Sequence, residues 1–165
     1  VGSEMCIRDR CIEVVQGAKG GIVFLGEYKH TMDEKGRIVI PSRFRDELKQ
    51  GCVVTKGQDN CLQILTNKSW KEEAGSVAAL SKTNKTSRQI ARSLFSGAID
   101  VSLDSAGKIL IPENLRAYSF IKFGESITIT GSGSVIEIWS TKQWKKVQLE
   151  ADKAFANLNE LTGGS

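Results

Sequence analysis

The sequence predicts a mostly β protein with short helices, an α+β fold built from two copies of one unit. Three observations predict it: a 165-residue chain of ordinary globular composition, a duplicated segment, and short β-branched runs between turn signals. A unit of about fifty residues buries little apolar surface alone. We therefore expect the two pseudosymmetric units to pair their strands into one compact barrel.

A repeated segment organises the chain. Residues 26–45 (GEYKHTMDEKGRIVIPSRFR) match residues 97–116 (GAIDVSLDSAGKILIPENLR) at a constant offset of 71. Seven paired positions are identical: Gly26/Gly97, Asp33/Asp104, Gly36/Gly107, Ile38/Ile109, Ile40/Ile111, Pro41/Pro112 and Arg45/Arg116. The similarity then continues at an offset of 74, which aligns Trp70 with Trp144. The predicted organisation is unit 1 over 26–72, a linker over 73–96, unit 2 over 97–146, and a C-terminal helix and tail over 147–165.

Each copy is predicted to begin with a strand that ends in a tight turn. Residues before Asp33 and Asp104 alternate roughly as a strand requires. The Asp side chain can accept backbone N–H groups and a Gly three positions later tolerates positive φ. Asp33 with Gly36 and Asp104 with Gly107 are therefore the predicted turn-structuring residues.

Short elements follow each turn. Runs of β-branched and aliphatic residues predict buried strands over 38–40 and 109–111. The two prolines of the chain come next and suit a first helical turn, so helices are expected over 42–48 and 113–118. The remaining predictions are strands over 52–55 and 127–130, hairpin turns at 59–60 and 131–133, and strands over 62–65 and 135–139.

A closing helix is predicted after each fourth strand, beginning at Thr66 or at Ser140. Ser140 and Gln143 have the spacing of a capping box, and Trp139 with Trp144 that of a hydrophobic staple, which makes the tryptophans packing anchors. Between the copies, residues 82–98 indicate a linker with a basic helix. Its cations are Lys82, Lys85, Arg88 and Arg92, and its apolar face is Ile90, Leu94 and Phe95.

The first residues differ from the rest. Residues 1–21 lack a clear period, and VGSEMCIRDR resembles translated sequencing-adaptor DNA. We expect a disordered, non-native leader, with the native start at a GTG codon now translated as Val23. The charges of the leader cancel, so the net charge of +4 belongs to the remainder.

Composition limits the function classes. No apolar stretch approaches the ~18 residues of a membrane span, so a soluble cytoplasmic protein with no membrane partner is expected. The cysteines, at 6, 11, 52 and 61, lack zinc-site spacing and indicate buried or incidental thiols. His30 is the sole histidine and no nucleophile set converges on it. We therefore expect no enzyme, and neither a cofactor, a metal nor a small-molecule substrate.

A binding role fits the residues better. Turn residues 33–37 carry Lys35 and Arg37, and turn residues 104–108 carry Lys108, where side chains can extend outward. Arg can bridge to a phosphate or a guanine edge bidentately, whereas Lys acts mainly as a point charge. The helices just beyond add Arg43, Arg45 and Arg116. The alternative is that Asp33 pairs with Arg37 as a turn-stabilising salt bridge and nothing binds.

The segments FLGEYKHTMDEKGRIVIPSRFRDEL, SGAIDVSLDSAGKILIPENLR and VIEIWSTKQW together resemble the MraZ family of bacterial transcriptional regulators, over residues 23–160. The resemblance implies tandem AbrB-like swapped-hairpin units that form one barrel, in chains that assemble into ring-like homo-oligomers. It implies a nucleoid-associated, sequence-specific regulator, in most members a repressor, of the division and cell-wall gene cluster. Its partner would be double-stranded DNA, bound at direct repeats in the promoter.

The resemblance also assigns residues. Arg37 and Lys108 would face DNA with Lys35 nearby, while Asp33 and Asp104 would hold the turns. Lys108 stands where the family has Arg, which favours phosphate contact over base reading at the second turn.

Two other classes stay open. An AbrB-like antitoxin would bind a toxin protein with its C-terminal segment, whereas this chain has two units and only a short helix-like end over 142–161. A small hydrolase would need His30.

Overall fold

The computed structural model describes residues 23–158, and the predicted leader lies outside them. The strands are β1 (Glu27–Thr31), β2 (Arg37–Val39), β3 (Cys52–Lys56), β4 (Leu62–Thr66), β5 (Ile99–Val101), β6 (Lys108–Leu110), β7 (Ser126–Gly131) and β8 (Ile136–Ser140). The helices are α1 (Ser42–Leu48), α2 (Asn67–Ala78), α3 (Lys85–Gly97), α4 (Glu113–Ser119) and α5 (Thr141–Ala156), with a 3₁₀ turn at Gln58–Asn60. The predicted α+β class is confirmed. No helix in this described part is long and apolar enough to cross a membrane.

The strands of the two copies pair with each other. Six of them form an antiparallel sheet in the order β1-β7-β8-β4-β3-β5, and β2 pairs with β6 in a second, two-stranded sheet. By the repeat alignment β1 corresponds to β5, β3 to β7 and β4 to β8. The order of the large sheet is therefore the same from either end, and the first strand of each copy pairs with the third strand of the other.

The expected single barrel is not found among the described residues. The six-stranded sheet has two edges, β1 and β5, which are not hydrogen-bonded to each other. The three-residue strands β2 and β6 pair only with one another and so cannot bridge these edges. Closure of a barrel requires every strand to have two neighbours, and that condition is not met.

One hydrophobic core joins both copies. It includes equivalent isoleucines from each, Ile38 with Ile109 and Ile40 with Ile111, all exposed by 1% or less. Full burial of such a side chain contributes about 1.5–3 kcal/mol. Because the cluster draws on both copies, the two units share this core within residues 23–158. The predicted tryptophan staple is present, with the rings of Trp139 and Trp144 centred 5.5 Å apart.

The two closing helices begin where predicted, but their caps differ. The hydroxyl of Thr66 accepts the backbone N–H of Ser69 at 3.1 Å. Ser140 makes no side-chain cap hydrogen bond, so the predicted capping box is wrong. The next hydroxyl, of Thr141, is instead hydrogen-bonded to two β7 hydroxyls, those of Ser126 and Thr128.

The linker helix α3 packs on the sheet. The buried hydroxyl of Thr55 on β3 donates to the Leu94 carbonyl at 3.0 Å, and Trp70 on α2 meets Phe95 edge to face. Lys82 precedes the helix, contrary to the sequence prediction, whereas the other three predicted cations lie on it.

Candidate functional site

The first turn, residues 33–37 (turn 1), is held by the Asp33 carboxylate. Its Oδ1 accepts the backbone N–H groups of Lys35 and Arg37, both at 2.9 Å. The Gly36 N–H donates to the Asp33 carbonyl at 3.1 Å, and Gly36 has a φ of +79°. The left-handed region is open to Gly at little cost. One carboxylate oxygen and one glycine thus close turn 1.

The second turn, residues 104–108 (turn 2), repeats this geometry. Oδ1 of Asp104 accepts the N–H groups of Ala106 and Lys108 at 2.9 Å each. The N–H of Gly107, at a φ of +75°, donates to the Asp104 carbonyl at 3.0 Å. The different residues within the two turns therefore leave the backbone conformation unchanged.

Antiparallel pairing of β2 with β6 places the two turns side by side. The register sets Ile38 opposite Ile109, and both side chains enter the core. Two further backbone hydrogen bonds of 2.9 Å cross between the copies, from the N–H of Ile40 to the Gly107 carbonyl and from that of Ile111 to the Gly36 carbonyl. Each turn is therefore fixed to the strand end of the other copy.

Four charged side chains meet at this junction, and we call them the turn cluster: Asp33, Arg37, Asp104 and Lys108. Arg37 contacts both carboxylates, through Nε to Oδ2 of Asp33 at 3.3 Å and through Nη1 to Oδ2 of Asp104 at 3.5 Å. Nζ of Lys108 lies 3.6 Å from Oδ2 of Asp33. Two cations and two anions make the cluster neutral. Within it, the Asp33–Arg37 ion pair considered from the sequence is present.

The aspartates of the cluster are stabilised in their charged form. The backbone N–H of Arg37 is the largest influence that lowers the pKa of Asp33 below its ordinary value. The N–H of Lys108 has the same effect on the pKa of Asp104. Neighbouring cations add to both shifts and desolvation opposes them. Both carboxylates are therefore ionised at neutral pH.

Arg45 and Arg116 lie beneath the turns, each under the turn of the other copy. Arg45 Nε donates to the Ile40 carbonyl at 2.8 Å, and Arg116 Nη1 to the Ile111 carbonyl at 3.0 Å. A Cβ placed on Gly107 would lie 2.4 Å from the Arg45 guanidinium, and one on Gly36 would lie 2.3 Å from that of Arg116. Glycine at these positions therefore allows a close approach as well as a positive φ.

The remaining predicted cations are placed differently. Arg43 donates to the hydroxyl of Tyr28 and lies over that ring, 5.6 Å from its centroid, so it packs against β1. Lys35 is exposed on turn 1. The structure thus brings Arg37 of turn 1 and Lys108 of turn 2 into one cluster, with Lys35 also on turn 1, and holds the three helix arginines behind or beside them.

Sequence reasoning missed the ion pairs and packing contacts that cross between the copies. The equivalence of the two aspartates was visible in the repeat, but their neighbours in space depend on the β2–β6 register. The partial burial of His30 and, less strongly, the nearby Arg45 lower the pKa of that histidine. No group of three His, Cys, Asp or Glu side chains within residues 23–158 could hold a metal ion.

Comparison with known proteins gives a consistent match across both copies. A family model described as "MraZ protein, putative antitoxin-like" matches residues 23–93 and again residues 94–162. A relative from Roseiflexus castenholzii is 48% identical over 136 residues, which are 82% of this chain and 93% of the relative. One from Carboxydothermus hydrogenoformans is 41% identical over 138 residues, 84% of this chain and 95% of the relative. Both relatives are named Transcriptional regulator MraZ.

Proposed function

The chain belongs to the MraZ family, and we propose that it is a transcriptional regulator that binds double-stranded DNA through turns 1 and 2. The observation that carries this proposal is the juxtaposition of the turns by β2 and β6, which brings Arg37 and Lys108 together next to the exposed Lys35. Cations on adjacent turns can contact phosphates and groove edges at once.

The cations have different parts in this proposal. The planar fork of Arg37 can hydrogen-bond a guanine edge bidentately, whereas Lys108 and Lys35 supply charge to phosphates. Arg45 and Arg116 donate to main-chain carbonyls. They therefore support the turns from behind and act on DNA through them.

Further features of the proposal concern the target and the assembly. We propose that the protein represses the division and cell-wall gene cluster from direct repeats in its promoter, as a ring-like homo-oligomer associated with the nucleoid. The strand exchange between copies supports AbrB-like swapped-hairpin units. Exposed apolar residues at the C-terminal end support self-association: Leu149, Phe155 and Leu158. Several turn pairs on one oligomer would add their weak contacts by multivalency.

The test is the affinity for the chain's own promoter DNA, measured by gel shift or anisotropy. Arg37→Ala should weaken binding about 10- to 100-fold, since one bidentate base contact is worth roughly 1–3 kcal/mol. Arg92→Ala removes one exposed cation from α3 and serves as the charge-matched control. Unchanged affinity in Arg37→Ala would remove that residue from the interface. Absence of wild-type binding at low salt would overturn the proposed function.

An antitoxin-type protein-binding module is the alternative. The description of the matching family includes "antitoxin-like", and the exposed side chain of Phe155, 78% accessible, could contact a partner protein. Two results together would favour this function. The first is a stoichiometric complex with an unrelated small protein that Phe155→Asp abolishes, and the second is the absence of binding to promoter DNA. Promoter binding with self-association alone would exclude it.

A further inference from the structure

We propose that Asp33 and Asp104 are specificity-determining residues for DNA binding, which position Arg37 and cancel the charge of the turn cluster. This inference rests on the proposed function and concerns the same two turns. It assigns to the carboxylates a role beyond closing the backbone of each turn.

The two oxygens of each carboxylate make different contacts. In Asp33, Oδ1 accepts two backbone N–H groups at 2.9 Å, while Oδ2 contacts Arg37 and Lys108 at 3.3 and 3.6 Å. In Asp104, Oδ1 again accepts two N–H groups, and Oδ2 lies 3.5 Å from Arg37. The turn and the cation are therefore held by different oxygens of one side chain.

The two carboxylates fix the direction of Arg37. A guanidinium has five N–H donors. Asp33 engages the one on Nε, and Asp104 lies next to Nη1. Donors on Nη1 and Nη2 remain, which form the end-on fork that suits the O6 and N7 atoms of guanine. Ion pairs from two sides limit the rotamers of a long side chain, so the fork is oriented before DNA arrives.

The carboxylates also remove the excess charge of the site. Affinity for arbitrary DNA comes almost entirely from cations that displace counterions from phosphates. Two anions within 3.6 Å of the two cations of the turn cluster oppose that attraction. Binding then depends more on hydrogen bonds from the oriented fork, which only the correct base supplies. The side chains are 29–36% exposed, so solvent weakens these ion pairs and the cations stay available.

Substitution of Asp by Asn separates the closing of the turn by Oδ1 from the effect of the negative charge on the cations. Asp33→Asn with Asp104→Asn keeps an Oδ1 acceptor for the turn and removes both charges. The control, Glu72→Gln with Glu73→Gln, gains the same charge on α2, outside the turn cluster. Binding to promoter repeats and to a scrambled duplex of equal length is measured by anisotropy over a salt series.

We expect the Asn variant to bind scrambled DNA about tenfold more tightly at 0.1 M salt, with a log–log salt slope steeper by up to about 1.8. Its affinity for the promoter repeats should either fall or change by less than threefold. The ratio of the affinity for the repeats to that for the scrambled duplex, which measures discrimination, should therefore drop severalfold. The control should leave discrimination unchanged. A merely destabilised protein would lose affinity for both duplexes, and urea midpoints establish folding. If the double variant unfolds, Asp104→Asn alone should give about half the change in slope.

Equal changes on both duplexes, an unchanged salt slope, or loss of binding to both by a folded variant would each overturn the inference. Failure of the wild-type protein to bind its repeats at low salt is a different result, because it refutes the proposed function itself.

Discussion

Replacement of Gly107 by Ala tests the packing of one copy against the turn of the other. The new Cβ would lie 2.4 Å from both Cζ and Nε of Arg45, well inside van der Waals contact. The guanidinium is the end of a flexible side chain and can swing aside, and we expect that movement to break its hydrogen bond to the Ile40 carbonyl, 2.8 Å long. Loss of a hydrogen bond from a charged donor costs about 1.5–3 kcal/mol, and the partial exposure of Arg45 favours the lower value.

The positive φ of Gly107 adds a second loss to the free energy of unfolding, and Gly124→Ala measures that loss by itself. Gly124 has a φ of +73°, close to the +75° of Gly107, but a Cβ there meets nothing within 4 Å. Left-handed backbone costs an L-residue about 1–2 kcal/mol. The reduced entropy of the unfolded chain returns about 0.4–1 kcal/mol. Gly124→Ala should therefore lower the free energy of unfolding by about 0.5–1.5 kcal/mol and Gly107→Ala by about 2–3.5 kcal/mol.

Urea denaturation followed by tryptophan fluorescence measures both values. The difference of about 1.5 kcal/mol corresponds to a midpoint shift of about 0.5–1.5 M at typical m-values. In an Arg45→Ala background the clash is absent, so Gly107→Ala should cost no more than Gly124→Ala. Equal costs for the two glycines in the native background, or an undiminished cost of Gly107→Ala without Arg45, would refute this packing argument.

Two further predictions follow from the helix caps and the buried thiols. Thr66→Ala should destabilise the protein by about 1 kcal/mol because it removes a side-chain cap, whereas Ser140→Ala should cost less because no cap hydrogen bond is lost. Chemical denaturation measures both free energies of unfolding, and equal losses would contradict the conclusion that only Thr66 caps its helix. Burial raises the pKa of Cys52 to about 11 and that of Cys61 to about 12. With the other cysteines changed to serine, these thiols should react slowly with a thiol reagent at pH 8 until urea is added. Fast labelling of the native protein would contradict their burial.

Local signals explain why most elements were predictable. An Asp followed by a Gly three positions later defines a turn through contacts within five residues, and both turns formed as expected. The runs around Ile38 and Ile109 are apolar enough to identify buried strands, and Pro41 indicates the start of α1. Duplication strengthened each prediction, because the same pattern appeared twice.

Tertiary contacts explain the failures. The sequence has the capping-box pattern at Ser140, but the Ser140 side chain makes no cap hydrogen bond, while the neighbouring Thr141 hydroxyl is hydrogen-bonded to β7. The barrel prediction assumed that every strand joins one sheet, whereas β2 and β6 pair with each other in a separate, two-stranded sheet. Nor could spacing show that Arg45 lies under Gly107, since these residues are far apart in the chain and meet only through the exchange of strands.

The same exchange gives a physical reason why two copies are joined in one chain and have diverged. Arg45 of copy 1 packs under turn 2, and Arg116 of copy 2 packs under turn 1, so neither turn is complete without the other copy. Those supporting arginines are identical in the repeat, as are the aspartates and glycines of the turns. The outward cations differ, Arg37 in turn 1 and Lys108 in turn 2. A tandem chain can thus keep a symmetric frame while each turn presents a different cation, which a symmetric dimer of identical units cannot do.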